Sequence, residues 1–130
     1  MPQPIAKEGD QVVAVDTHIL MIPSPGGPVP TPTPMPFSGK LDAKLSTTVF
    51  IDDKAVALVG SEASNMPAHI PAGGPFQKQP ADKGTVETGS SSVFVDDKAV
   101  ARMGDTVKTC NDPADAPNGT IIAAGVVMTE

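Results

Sequence analysis

The sequence predicts an all-β fold made of short hairpins repeated around a common axis. Residues 49–60 (VFIDDKAVALVG) and 93–104 (VFVDDKAVARMG) agree at nine of twelve positions, 44 residues apart. Repetition of this kind marks stacked copies of one supersecondary unit. Fifteen prolines and twelve glycines in 130 residues argue against long helices. The two longest proline-free stretches, 37–66 and 81–112, each hold one copy of the repeat. Strands are expected there, because proline removes a ladder donor.

Taken in order, Gly9-Asp10 opens the first unit and Gln11–Val15 reads as a strand. Seven prolines follow between Pro23 and Pro36, so 22–38 is expected to be a flexible, partly polyproline loop. In the first copy, Thr48–Ile51 and Ala55–Val59 are β-branched and apolar and flank Asp52-Asp53-Lys54. In the second, Ser92–Val95 and Ala99–Met103 flank Asp96-Asp97-Lys98. Each copy predicts a tight hairpin with an Asp-Asp turn, since Asp tolerates a left-handed backbone. The final strand is expected over Thr120–Met128. It would complete the first unit, which has no VFxDDK hairpin upstream of it.

Composition sets bounds. The length fits one domain, 1–130, with repeat copies spanning 46–61 and 90–105. There is no Trp or Tyr and only four Phe, so the core is thin, and a metal or an oligomeric partner would help such a domain. A net charge of −6 with scattered basic residues argues against nucleic acid and against anionic membrane surfaces. A single cysteine allows no internal disulfide. The opening MPQPIAKEGD has no apolar h-region. The longest apolar run, Ile121–Met128, is far short of the roughly 20 residues needed to cross a bilayer. The expectation is a soluble chain made in the bacterial cytoplasm, which leaves by a route that reads no signal peptide.

The chemistry sits just after the turns. His18 follows Gly9 by nine residues, His69 follows Gly60 by nine, and Cys110 follows Gly104-Asp105. The chain has no other histidine or cysteine. Three units around one axis would bring His18, His69 and Cys110 together at one end, and these are preferred zinc ligands. Each is followed by a Pro-flanked turn: Pro23–Pro28, Pro71–Pro75 and Pro113–Pro117. A lone histidine is more often an ordinary surface or loop residue, but matched offsets and a matching cysteine favour the metal. The Asp-Asp-Lys turns lack the spacing of a calcium loop and read as solvated turns. No activating group or oxyanion donor accompanies Cys110, so a catalytic thiol is not expected.

VFVDDKAVARMGD followed by Cys110, together with an opening Gly-Asp before a histidine, resembles the PAAR-repeat proteins. The stretch PSPGGPVPTPTP resembles the PAAR-like branch. The resemblance implies a small three-sided β-cone with no enzymatic activity. Its blunt base would cap the trimeric β-helical spike of a contractile injection machine, either a type VI secretion system or a phage-tail-like particle. One such monomeric tip would sit on each trimer. The resemblance also implies a structural Zn2+, one per chain, at the apex. Carried over by position, its ligands are His18, His69 and Cys110. The family site has three histidines and a cysteine, and only three such residues exist here. A water, Asp112, Asp16 or Met21 is left as the fourth. The tip would be expelled from the cell, meet a target membrane and help deliver effectors. Val56, Leu58, Val100, Met103, Ile121 and Ile122 are candidates for either core or partner surface. A zinc with only three protein ligands also leaves a second reading open, a stand-alone zinc module or a small zinc-dependent hydrolase.

Overall fold

Three turns of the same construction set the architecture of the computed structural model, which describes residues 2–125 and 127–129. In each, a backbone N–H donates to a side-chain oxygen three residues on. Lys7 N–H reaches Asp10 Oδ2 at 2.9 Å, Leu58 N–H reaches Ser61 Oγ at 2.9 Å, and Arg102 N–H reaches Asp105 Oδ2 at 2.7 Å. The matching return bonds, from the N–H of Asp10, Ser61 and Asp105 to the carbonyls of Lys7, Leu58 and Arg102, also form. The residue before each closing position is glycine at positive φ, +88°, +97° and +86°, where an L side chain is strained. Ser61 therefore fills the role of the aspartates in the other two turns.

Just before each turn lies an alanine, and the three alanines hydrogen-bond in a ring. Ala6 N–H donates to Ala101, Ala101 to Ala57, and Ala57 to Ala6, each at 2.9 Å. All three are fully buried. Only a small side chain lets three backbones meet this closely, and the ring marks a pseudo-threefold axis.

The strands follow from the turns. In chain order they are β1 (Gln3–Pro4), β2 (Gln11–Ile22), β3 (Val29–Ala43), β4 (Phe50–Ile51), β5 (Lys54–Ala55) and β6 (Glu62–Asn65). Then come β7 (Lys83–Val86), β8 (Phe94–Val95), β9 (Lys98–Ala99), β10 (Thr106–Thr109), β11 (Ala116–Ile122) and β12 (Met128–Thr129). No helix occurs among the described residues, as the composition predicts. β2, β6 and β10 each start directly after a turn, and each pairs with the next long strand. The three hairpins β2–β3, β6–β7 and β10–β11 close into a six-stranded barrel in the order β10-β11-β2-β3-β6-β7.

On the other side of the alanine ring sit three two-stranded ribbons. β4–β5 and β8–β9 are the repeat hairpins, and their turns hold Asp52, Asp53, Asp96 and Asp97 at positive φ as the sequence predicts. Their paired arms are shorter than expected, two residues each, because Val56, Leu58 and Val100 turn inward and form single bridges. The third ribbon joins the two ends of the chain, with Gln3 opposite Thr129 and Pro4 opposite Met128. The expected last strand is broken: β11 ends at Ile122, and β12 completes the first unit.

Of the segment 22–38, only 23–28 is a connecting turn. Residues 29–43 form the longest strand, and Pro30, Pro32, Pro34 and Pro36 fit it because they alternate. They pair with Met21, Ile19, Thr17 and Val15. Along β2 the polar backbone of Thr17, Ile19 and Met21 points away from β3, towards Asn111 and Asp112, Gln77, and Pro75 respectively. The facing prolines occupy the matching positions of β3, where an N–H would point to solvent and no ladder bond is lost. Met35, between the last two prolines, and Phe37, just after them, turn inward and are buried.

Two apolar clusters hold the layers together. Val12, Phe37, Leu41, Val86, Val107 and Ile121 fill the barrel. Val56, Leu58 and Val100 pack between the ribbons with Ile5, Ile51 and Val95. Of the six residues considered for core or partner surface, Val56, Leu58, Val100 and Ile121 are therefore interior. Met103 and Ile122 reach solvent, being 39% and 42% exposed.

Candidate metal centre

β2 alternates strictly, so Asp16, His18 and Leu20 share the inward face with Val12 and are buried. His69 lies four residues beyond β6, where its N–H donates to Asp82 Oδ1 at 2.9 Å. Cys110 follows β10, and its N–H donates to the Lys83 carbonyl at 3.1 Å. The three predicted ligands, His18, His69 and Cys110, thus come together from three different hairpins. Asp16 joins them. All four residues are buried, with one ligand atom from each within 4.8 Å of the others.

The spacing within the cluster is informative. Asp16 Oδ2 is 3.3 Å from His69 Nε2 and 3.6 Å from Cys110 Sγ, and Cys110 Sγ is 3.7 Å from His18 Nε2. Tetrahedral zinc, with bonds to N or O near 2.0 Å and to S near 2.3 Å, separates its ligand atoms by about 3.3 to 3.6 Å. The three separations are close to that range and the other pairs reach no further than 4.8 Å, so the donor set suits such an ion with a small contraction. The electrostatics agree. Among the described residues, no Lys or Arg is paired with the fully buried Asp16 carboxylate, and His69, whose Nε2 lies 3.3 Å from it, is itself in the cluster. A buried carboxylate without a cation is costly. The Cys110 thiol is pushed up to about 12, first by burial and then by the neighbouring Asp16 charge. A divalent cation at the centre reverses both penalties and draws a thiolate.

A second tier of residues orients the ligands. His18 Nδ1 is buried with no hydrogen bond among the described residues, and Asp112 Oδ2 lies 3.5 Å from it. Asp112 is fixed by the Ile19 N–H at 2.9 Å. Metal-bound histidines usually direct their second nitrogen to such a carboxylate. Asp112 therefore sits behind His18 rather than within the cluster. Met21 has the opposite parity to Asp16 and His18 on β2, so it faces the other way. Thr109, which no motif in the sequence singles out, is fully buried and donates from Oγ1 to Asp16 Oδ1. The signal for Asp16 is the two-residue step to His18 within an alternating strand. For Thr109 it is adjacency to Cys110.

The PAAR motif matches residues 21–108, which is 88 of the 130 positions. The chain belongs to the PAAR motif family. No curated protein and no solved structure matches it. Membership in the PAAR family supports a spike-tip role in a contractile injection system, type VI secretion by implication. It further implies a secreted component associated with a spike or secretion complex. Among the described residues of this PAAR protein, no helix is long and apolar enough to cross a membrane.

Proposed function

We propose that this chain is a non-enzymatic spike tip, a single PAAR-like domain over 1–130, whose point is stapled by one structural Zn2+. His18, His69, Cys110 and Asp16 would hold the ion. When bound, it links three separate hairpins and stabilises the Cys110 thiolate. Four buried protein donors of N, O and S type, all within 4.8 Å of one another, support a closed structural site. A hydrolytic zinc needs an open position for water, so nothing favours the hydrolase reading.

The observation that carries the assembly is a threefold repeat of exposed apolar pairs on the ribbons. Val49 and Phe50 are 39% and 57% exposed, Val93 and Phe94 are 38% and 60%, and Val127 and Met128 are 43% and 52%. Their backbones match too. Val49, Val93 and Val127 each accept one bond, from Val56, Val100 and Ile5. Three like patches about one axis suit a homotrimeric partner, with one patch for each subunit. The ribbon end is then the base on a trimeric β-helical spike. The barrel end, with the metal, meets the target membrane and helps carry effectors across it. Native mass spectrometry of the complex formed with a trimeric spike protein tests this. One chain per trimer is expected; three per trimer, or a complex unaffected by Phe50→Ser with Phe94→Ser, contradicts it.

A further inference from the structure

The two oxygens of Asp16 have different partners. Oδ2 faces His69 and Cys110, at 3.3 and 3.6 Å. Oδ1 accepts the hydrogen bond of Thr109 Oγ1, and both residues are fully buried. A carboxylate binds a metal through one oxygen or through both. We propose that Thr109 is a positioning residue that occupies Oδ1, limits Asp16 to one-oxygen coordination and so holds the centre at four ligands. This rests on the metal reading above.

The hydroxyl is aimed by the methyl group beside it. β10 lies between β7 and β11, and each of those strands presents a glycine to Thr109. A Cβ at Gly84 would come within 3.2 Å of Thr109 Cγ2, and one at Gly119 within 3.0 Å. The missing side chains leave a slot that the methyl fills. Threonine is stiff about χ1, so seating the methyl fixes where Oγ1 points. Valine has nearly the same shape but no donor, and would leave Oδ1 buried and unpaired or release it towards the metal. Serine keeps the donor and loses the methyl.

The test is Co2+ loading of the full chain, read by visible absorption and by competition with a chelator, for wild type, Thr109→Val and Thr109→Ser. Wild type should show a thiolate-to-cobalt charge-transfer band and intense four-coordinate d–d bands. Thr109→Val should keep the charge-transfer band, lose d–d intensity as a fifth donor enters, and bind about 10- to 100-fold more weakly, the usual cost of removing an outer-shell partner. Thr109→Ser should stay near wild type in d–d intensity and lose less affinity than valine. Wild-type spectra and affinity in Thr109→Val overturn the proposal, and so does a serine variant as impaired as valine. If valine prevents folding, X-ray absorption on the wild type decides alone: four donors support the proposal and five overturn it. A wild type that binds no stoichiometric Co2+, or lacks the charge-transfer band, defeats the metal reading itself, and the role of Thr109 with it.

Discussion

Cys110 holds the proton that a metal must displace. Burial, then the Asp16 charge, pushes its thiol up to about 12, so it is fully protonated at neutral pH without metal. Coordination as thiolate releases that proton. Titration calorimetry in buffers of different ionisation enthalpy should report about one proton released per Zn2+ near pH 7, with apparent affinity rising about tenfold per pH unit. No proton release would mean that Cys110 is not a ligand. In the metal-free fold the same raised value has its own sign. The thiol form is favoured, so this contribution is present below pH 9 and fades as pH rises towards 12. At this scale the convergence of His18, His69 and Cys110 was legible in the sequence, because both histidines follow a turn glycine by nine residues and Cys110 follows the third such turn. Asp16 remained one candidate among several. Choosing it needed the knowledge that β2 continues past Val15 with unbroken alternation, which puts Asp16 beside His18 and turns Met21 away.

Elements here are specified by turns and by parity more than by apolar runs. Gly60 has φ of +97°, and a Cβ added there would meet nothing within 4 Å, so space is not what demands glycine. Gly60→Ala therefore isolates the backbone cost and should destabilise by about 1 to 2 kcal/mol in denaturant titration. A neutral result would show that the turn relaxes freely. The proline strand makes a different prediction. Over 29–38 the outer edge of β3 has no strand partner, and its prolines remove the donors that would recruit one. Replacing Pro30, Pro32, Pro34 and Pro36 together by Thr should leave the monomer folded but make it self-associate, visible as earlier elution in size-exclusion chromatography. A strictly monomeric variant would show that the prolines do not guard that edge. Reading 22–38 as a loop holds for 23–28 and fails for 29–38, because proline content alone ignores the period. Prolines at every second position are compatible with one edge of a strand, whereas adjacent prolines are not.

The whole molecule is three copies of one plan wound about the ring of Ala6, Ala57 and Ala101. Two copies were plain in the sequence as VFIDDKAVALVG and VFVDDKAVARMG. The third was only partly visible, since its ribbon is assembled from Gln3–Pro4 and Met128–Thr129, and no local pattern links residues so far apart in the chain. The barrel strand β7 was hidden and β11 was foreseen only from Thr120 on, because their identity comes from pairing, not from composition. The proposed metal would act at this scale, because it would join segments 51 and 41 residues apart, His18 to His69 and His69 to Cys110. Closing loops of that size costs roughly 3 kcal/mol each in chain entropy, and a metal staple offsets that cost. Chelation should therefore lower the melting temperature sharply, and an unchanged value after complete metal removal would show that packing alone closes the barrel.

The most direct test of a metal-stapled spike tip is the metal content of the purified chain, by elemental mass spectrometry, for wild type and Cys110→Ser. About one zinc per chain in the wild type, lost in the variant, is the predicted result. A wild type without metal, or zinc retained undiminished in Cys110→Ser, would contradict the convergence of His18, His69, Cys110 and Asp16 on a single ion.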